Sequence, residues 1–125
     1  MKKEWKNQNL FSAVVNALNG IKYTIKTQRN IKIQLCFAIL AIIIGFILKL
    51  TVGEWCILII TISLVFLSEF INTAIETVVD LYTQEYNEKA KNAKDVAAAG
   101  VLIMAISSVI IGIILFGTKI IVYMK

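Results

Sequence analysis

The chain has 125 residues, of which 58% are hydrophobic, with a mean hydropathy of +0.78 and a net charge of +5. A chain so apolar at this length is no ordinary soluble domain; it reads as one integral membrane domain with no room for a separate soluble unit. It contains no histidine, which excludes histidine general bases, serine–histidine triads and the usual zinc ligand sets, and its six scattered glycines form no P-loop, kinase glycine loop or dinucleotide fingerprint.

In chain order, residues 1–30 are expected to form an amphipathic surface helix. Leu10, Val14, Leu18, Ile21 and Ile25 recur at helical spacing, with Asn16, Asn19, Lys22 and Lys26 elsewhere on the wheel. Such a helix lies in the membrane interface, or packs as a fourth helix of a bundle; the two readings are compatible. The lysine-rich start leads into a mixed polar segment, so no signal peptide is expected. A first transmembrane helix is expected over 31–48, apolar from Ile33 onward except for Gln34. The short turn Lys49 to Glu54 makes spans one and two an antiparallel hairpin. With Leu48 and Trp55 level, Gln34 falls near Glu69 and Gln28 near Glu76. The second span is expected over 55–80, a cytoplasmic loop over 81–95 and a third span over 96–118. Asp95, directly before Val96-Ala97-Ala98-Ala99-Gly100, reads as a helix cap. The small residues after it permit close helix approach, and hence oligomerisation.

Lys2, Lys3, Lys6, Lys22, Lys26, Arg29 and Lys32 precede span one, and Lys89, Lys91 and Lys94 separate spans two and three; only Lys49, Lys119 and Lys125 fall on the other side. The positive-inside rule puts the N-terminus and the 81–95 loop in the cytoplasm and the C-terminus outside. Because the lysines flank apolar spans, topology and anionic lipid account for them, and no nucleic-acid partner is expected. Cys36 and Cys56 sit near opposite ends of the hairpin, so no disulfide is expected between them.

The polar ladder Glu69, Asn72, Glu76 and Asp80 ends the second span. At about 100° per residue, the last three lie within about 60° of Glu69 on the helical wheel, so three carboxylates and an amide share one stripe. Asp80 alone is the wet end of a helix. Glu69 lies roughly 16 Å deeper, where an ionised group faces protein or a water-filled site and needs a cation. Carboxylates hold Mg²⁺, and Mg²⁺ bridges to polyphosphate oxygens. The residues alone therefore give a cation-binding carboxylate site at the inner membrane face, open sideways to a lipid alcohol and from the cytoplasm to a nucleotide. A proton or cation conduit also uses buried acids in an oligomeric bundle, but has no need of the Lys94-Asp95 element.

Glu69-x-x-Asn72-Thr73-Ala74-Ile75-Glu76-x-Val78-Val79-Asp80, followed by Ala93-Lys94-Asp95-x-x-Ala98, closely resembles the bacterial diacylglycerol kinase and undecaprenol kinase family. The likeness extends over nearly the whole chain, including Gly20 and Arg29-Asn30. It implies an all-α integral membrane protein, an amphipathic interfacial helix plus three transmembrane helices in a homotrimeric bundle, that transfers the γ-phosphate of MgATP to a lipid hydroxyl in the bacterial plasma membrane. By the same resemblance Glu69 matches the catalytic carboxylate, Glu76 a metal ligand that also meets nucleotide, and Asn72 and Asp80 supporting polar positions. Lys94 and Asp95 match nucleotide contacts, and Glu85-Tyr86-Asn87 lies where the family touches ATP. Before Arg29-Asn30 the family typically carries a metal-binding glutamate; here Gln28 stands there, an oxygen ligand without the charge. Asn9 and Asn16 also differ from the arginine and tyrosine that meet ATP in some members. The Ile-, Lys- and Asn-rich composition and the Arg29-Asn30 pair resemble Gram-positive members, for which undecaprenol is the usual acceptor; diacylglycerol is the alternative.

Overall fold

A computed structural model describes Lys6 and residues 9–125, which form four helices: α1 (Leu10–Thr27), α2 (Arg29–Ile47), α3 (Val52–Tyr82) and α4 (Glu88–Met124). The start of the expected 1–30 helix, with Lys2 and Lys3, lies outside the described residues. Asn9 begins α1 through a reciprocal cap: the Ser12 N–H donates to Asn9 Oδ1 at 2.8 Å and the Asn9 N–H to Ser12 Oγ at 3.0 Å. The helix stops short of residue 30. Thr24 and Thr27 donate their hydroxyls to the Gly20 and Tyr23 carbonyls, and Gln28 is extended (φ −108°, ψ 117°), which ends the helix. Leu10, Phe11, Val14 and Leu18 stay exposed, so the apolar side of α1 is not spent on the bundle.

A compact cap joins α2 to α3. Lys49 takes the left-handed conformation (φ 55°), the Leu50 N–H reaches back to the Gly45 carbonyl at 3.1 Å and the Lys49 N–H to Phe46 at 3.3 Å. These two bonds are the Schellman pattern that satisfies the last carbonyls of a helix. Thr51 then opens α3 with a capping box, its backbone N–H donating to Glu54 Oε1 at 2.9 Å. Leu50 and Trp55 fold over Gly45, and the Phe46 and Trp55 rings meet at 4.7 Å. Glu54 also binds Lys119 at 2.9 Å, with both side chains largely buried, which ties α3 to α4 at this end.

The loop between α3 and α4 is only 83–87 rather than 81–95. Asn87, not Asp95, caps α4: its Oδ1 accepts from the Ala90 N–H at 3.1 Å. Asp95 lies inside the helix, paired with Lys91 one turn earlier. The apolar run from Val96 marks where α4 enters the membrane, while a polar cap two turns earlier sets where it begins. The 31 residues of α3 extend about 46 Å against about 30 Å of hydrocarbon, so the helix must project from the bilayer.

Among the described residues, three helices are long and apolar enough to cross a membrane: α2, α3 and α4. The accessible surface is 9892 Å², whereas a compact soluble chain of 14.0 kDa exposes about 6,700 Å². The buried core is correspondingly small, Leu50, Leu58 and Leu115 with Ala41, Trp55, Ile62 and Phe116 around them. Both cysteines are free thiols.

At Gly45 a Cβ would stand 2.8 Å from the Trp55 ring and 3.0 Å from Leu50, so Gly45→Val forces the turn apart. Thermal unfolding in micelles should show a loss of about 1–3 kcal/mol with altered Trp fluorescence, while Gly53→Ala, which meets nothing, stays near wild type.

Candidate functional site

The stripe forms because α3 is helical without interruption from Val52 to Tyr82, which keeps Glu69, Asn72, Glu76 and Asp80 in register. Counted from Glu54 at the turn end, Glu69 lies about 22 Å along the helix and Glu76 about 33 Å. Glu69 is therefore within the hydrocarbon and Glu76 at its far boundary. Glu69 is 2% exposed and accepts a hydrogen bond from Gln34 Nε2 of α2 at 2.9 Å. The hairpin register estimated from the sequence thus holds for this pair. One turn on, Asn72 Nδ2 donates to Glu76 Oε1 at 3.3 Å. Asp80 accepts from Lys94 Nζ of α4 at 2.6 Å, which brings a fixed cation to the end of the stripe.

The remaining candidates are not drawn into this cluster by any contact seen within the chain. Gln28 is half-buried at the α1–α2 junction, where its backbone precedes α2 and its side chain makes no capping bond. Glu85, Tyr86 and Asn87 occupy the exposed connection, with Asn87 engaged as the α4 cap and the Glu85 N–H on Thr83 Oγ1 at 3.1 Å. Asp95 is exposed and paired with Lys91. Gln34 is the functional candidate that the motif reading does not assign. Its signal was a lone strong polar group in an otherwise apolar span, placed opposite Glu69 by the hairpin arithmetic.

Among the described residues, no three His, Cys, Asp or Glu side chains gather to hold a metal. The donors at Glu76 nevertheless suit a hard cation. Beside its carboxylate stands Asn72, whose Oδ1 is buried with no hydrogen-bond partner, so two kinds of oxygen donor adjoin there with one of them unspent.

The sequence model of the prokaryotic diacylglycerol kinase family matches residues 15–116. The chain is 39% identical over 119 residues to the undecaprenol kinase of Bacillus subtilis, a match spanning 94% of this chain and 97% of that protein. It is 41% identical over 105 residues to a diacylglycerol kinase of Synechocystis, 83% of this chain and 60% of that one. Against the diacylglycerol kinase of Haemophilus influenzae the identity is 32% over 109 residues, 86% of this chain and 92% of that one. A membrane protein with a carboxylate stripe whose deepest member is buried, and with matches of this extent, belongs to the prokaryotic diacylglycerol kinase family, and is an ATP-dependent lipid kinase.

Proposed function

We propose that the protein transfers the γ-phosphate of ATP to undecaprenol, giving undecaprenyl phosphate, at the cytoplasmic face of the bacterial plasma membrane. The observation that carries this reading is the place of Glu69 and its partner Gln34, which lines a cavity of about 440 Å³ between α2, α3 and α4. Its walls are otherwise almost wholly apolar, among them Phe37, Leu58, Ile62, Phe66 and Phe116. The two hydroxyls there, Thr61 and Ser108, are committed to the Ile57 and Ala105 carbonyls. A polyprenyl chain enters such walls with no polar group to desolvate beyond its hydroxyl. Diacylglycerol would bring ester carbonyls, each losing water at a cost of about 1–3 kcal/mol where no donor replaces it. Diacylglycerol, giving phosphatidic acid, is the competing acceptor, on the strength of the Synechocystis and Haemophilus relatives.

In this reading Glu69 receives the hydroxyl proton as the alcohol oxygen attacks the γ-phosphorus and ADP departs. Glu76, with Gln28 and supported by Asn72, would hold Mg²⁺, which would supply neutralisation of phosphate charge. Lys94, fixed by Asp80, supplies positive charge to the nucleotide, with Asp95, Glu85, Tyr86 and Asn87 as further contacts along the same face. α1 lies in the interface with Leu10, Val14 and Leu18 toward lipid, and the lysine distribution sets the N-terminus inside and the C-terminus outside. The active form is a homotrimer, which covers part of the exposed apolar surface and brings carboxylates of neighbouring copies together.

Transfer of radiolabelled phosphate from ATP in purified micelles, undecaprenol against diacylglycerol, tests the function; no transfer to undecaprenol overturns the acceptor assignment. In the same assay Glu69→Gln should lower kcat by about 10²–10⁴-fold with ATP affinity retained, whereas Glu76→Gln weakens metal and nucleotide binding together. Undiminished turnover in both variants would remove the assigned roles.

Mixing Glu69→Gln with Glu76→Gln subunits should restore part of the activity if one site draws on two protomers. An active, strictly monomeric protein excludes the trimer.

Gln28→Glu adds a carboxylate where the family typically carries one. Net of the desolvation of that charge, it should lower the Mg²⁺ needed for half-maximal rate several-fold and raise activity. An unchanged Mg²⁺ titration removes residue 28 from the metal shell.

A further inference from the structure

We propose that Gln34 is a positioning residue for Glu69, acting through a two-ended amide–carboxyl pairing that is half made in the resting site and completed when Glu69 takes the alcohol's proton. This rests on Glu69 being the base. The half that exists is the bond from Gln34 Nε2 to Glu69 Oε1 at 2.9 Å. The half that is missing is equally visible: Gln34 Oε1 is buried and has no hydrogen-bond partner. An ionised carboxylate only accepts, so it has nothing to give the amide oxygen beside it; a carboxylic acid carries one O–H to donate. An amide and a carboxylic acid are complementary at both ends, N–H to C=O and O–H to C=O. Proton transfer to Glu69 therefore creates the donor that Gln34 Oε1 lacks.

The step balances within the kinase reaction. The lipid hydroxyl's O–H bond breaks and its proton passes to the Glu69 oxygen that Gln34 Nε2 does not hold. The alcohol oxygen bonds to the γ-phosphorus, and the bond from that phosphorus to the β–γ bridging oxygen breaks, its electron pair leaving with ADP. Protonated Glu69 then donates to Gln34 Oε1. An interaction absent in the ground state and formed as the proton moves contributes to kcat rather than to substrate binding. The existing bond serves the same end by pinning one carboxylate oxygen and leaving the other for the hydroxyl. Near-complete burial of Glu69 makes a fixed partner necessary, because solvent is not there to supply a second one.

The experiment measures initial rates of phosphate transfer in micelles for Gln34→Leu, Gln34→Met and Gln34→Glu, each alone and combined with Glu69→Gln. Gln34→Leu and Gln34→Met should lose about tenfold or more in kcat, with KM for ATP and for the lipid alcohol within about twofold of wild type. In the Glu69→Gln background neither should cost anything further, since Gln34 acts only through that carboxylate. Gln34→Glu, which shares one proton with Glu69 and so both donates and accepts, should recover part of the lost kcat. Wild-type kcat in Gln34→Leu and Gln34→Met, or equal losses in both backgrounds, overturns the positioning role. Gln34→Glu no faster than Gln34→Leu overturns the proton-receiving half. If Glu69→Gln itself turns over at the wild-type rate, the assignment of the base falls, independently of Gln34.

Discussion

A carboxylate held inside a bilayer span is the constraint on which the rest of this structure depends. Glu69 cannot be left to lipid, so α2 has to present a polar group at its depth and on its side of the helix. Gln34 does so because the hairpin register is set some 20 Å away, at the opposite end of the span, by the Gly45, Lys49 and Thr51 turn. One residue more or less there would rotate Gln34 by about 100° away from Glu69. The packing of Trp55 and Leu50 over Gly45 and the pairing of Glu54 with Lys119 are thus part of the site, although they sit at the far membrane boundary.

The second consequence is one of length. α3 and α4 run to 31 and 37 residues, well past what hydrocarbon requires, and both overhang at the same end. That overhang carries Asp80 with Lys94 and Lys91 with Asp95. Charge is thereby graded along this face, from a desolvated acid on α3, through a boundary acid, to exposed ion pairs shared between α3 and α4 or lying on α4. On the proposed function, that gradient would let one helix face serve a lipid and a nucleotide at once.

Much of this was legible because it follows from periodicity and composition. The three spans, the shared face of Glu69, Asn72, Glu76 and Asp80, and the approach of Gln34 to Glu69 all come from counting residues along helices. Helix ends were less legible. Apolarity begins at Val96, which puts the expected α4 start at Asp95, yet Asn87 caps the helix two turns earlier; hydropathy reports the membrane boundary, and capping reports the helix boundary. The break at Gln28, a single extended residue between α1 and α2, falls inside a stretch whose apolar spacing runs on without a Gly or Pro to mark it, so an apolar pattern does not display it. The Glu54–Lys119 pair joins residues from two separate helices with no motif between them, and the assembled tertiary structure alone reveals it.

Within one chain the stripe is complete in order but short in charge. Glu69 has an amide for a partner rather than a cation, Asn72 keeps an unspent oxygen, and fewer than three candidate metal ligands converge among the described residues. The same chain exposes total surface far beyond that of a compact fold of its mass, with many large apolar side chains of α3 and α4 among the exposed residues. Lipid satisfies apolar surface, but it cannot satisfy an oxygen that needs a cation or a donor. The proposed trimer answers both shortages together, because a neighbouring copy covers apolar helix while bringing its own acids and lysines to the same membrane boundary. In the proposed reaction, the unspent oxygens beside Glu69 and Glu76 are where the proton and the nucleotide's cation would arrive, and the helices' bare faces are where neighbouring copies would supply the remaining ligands.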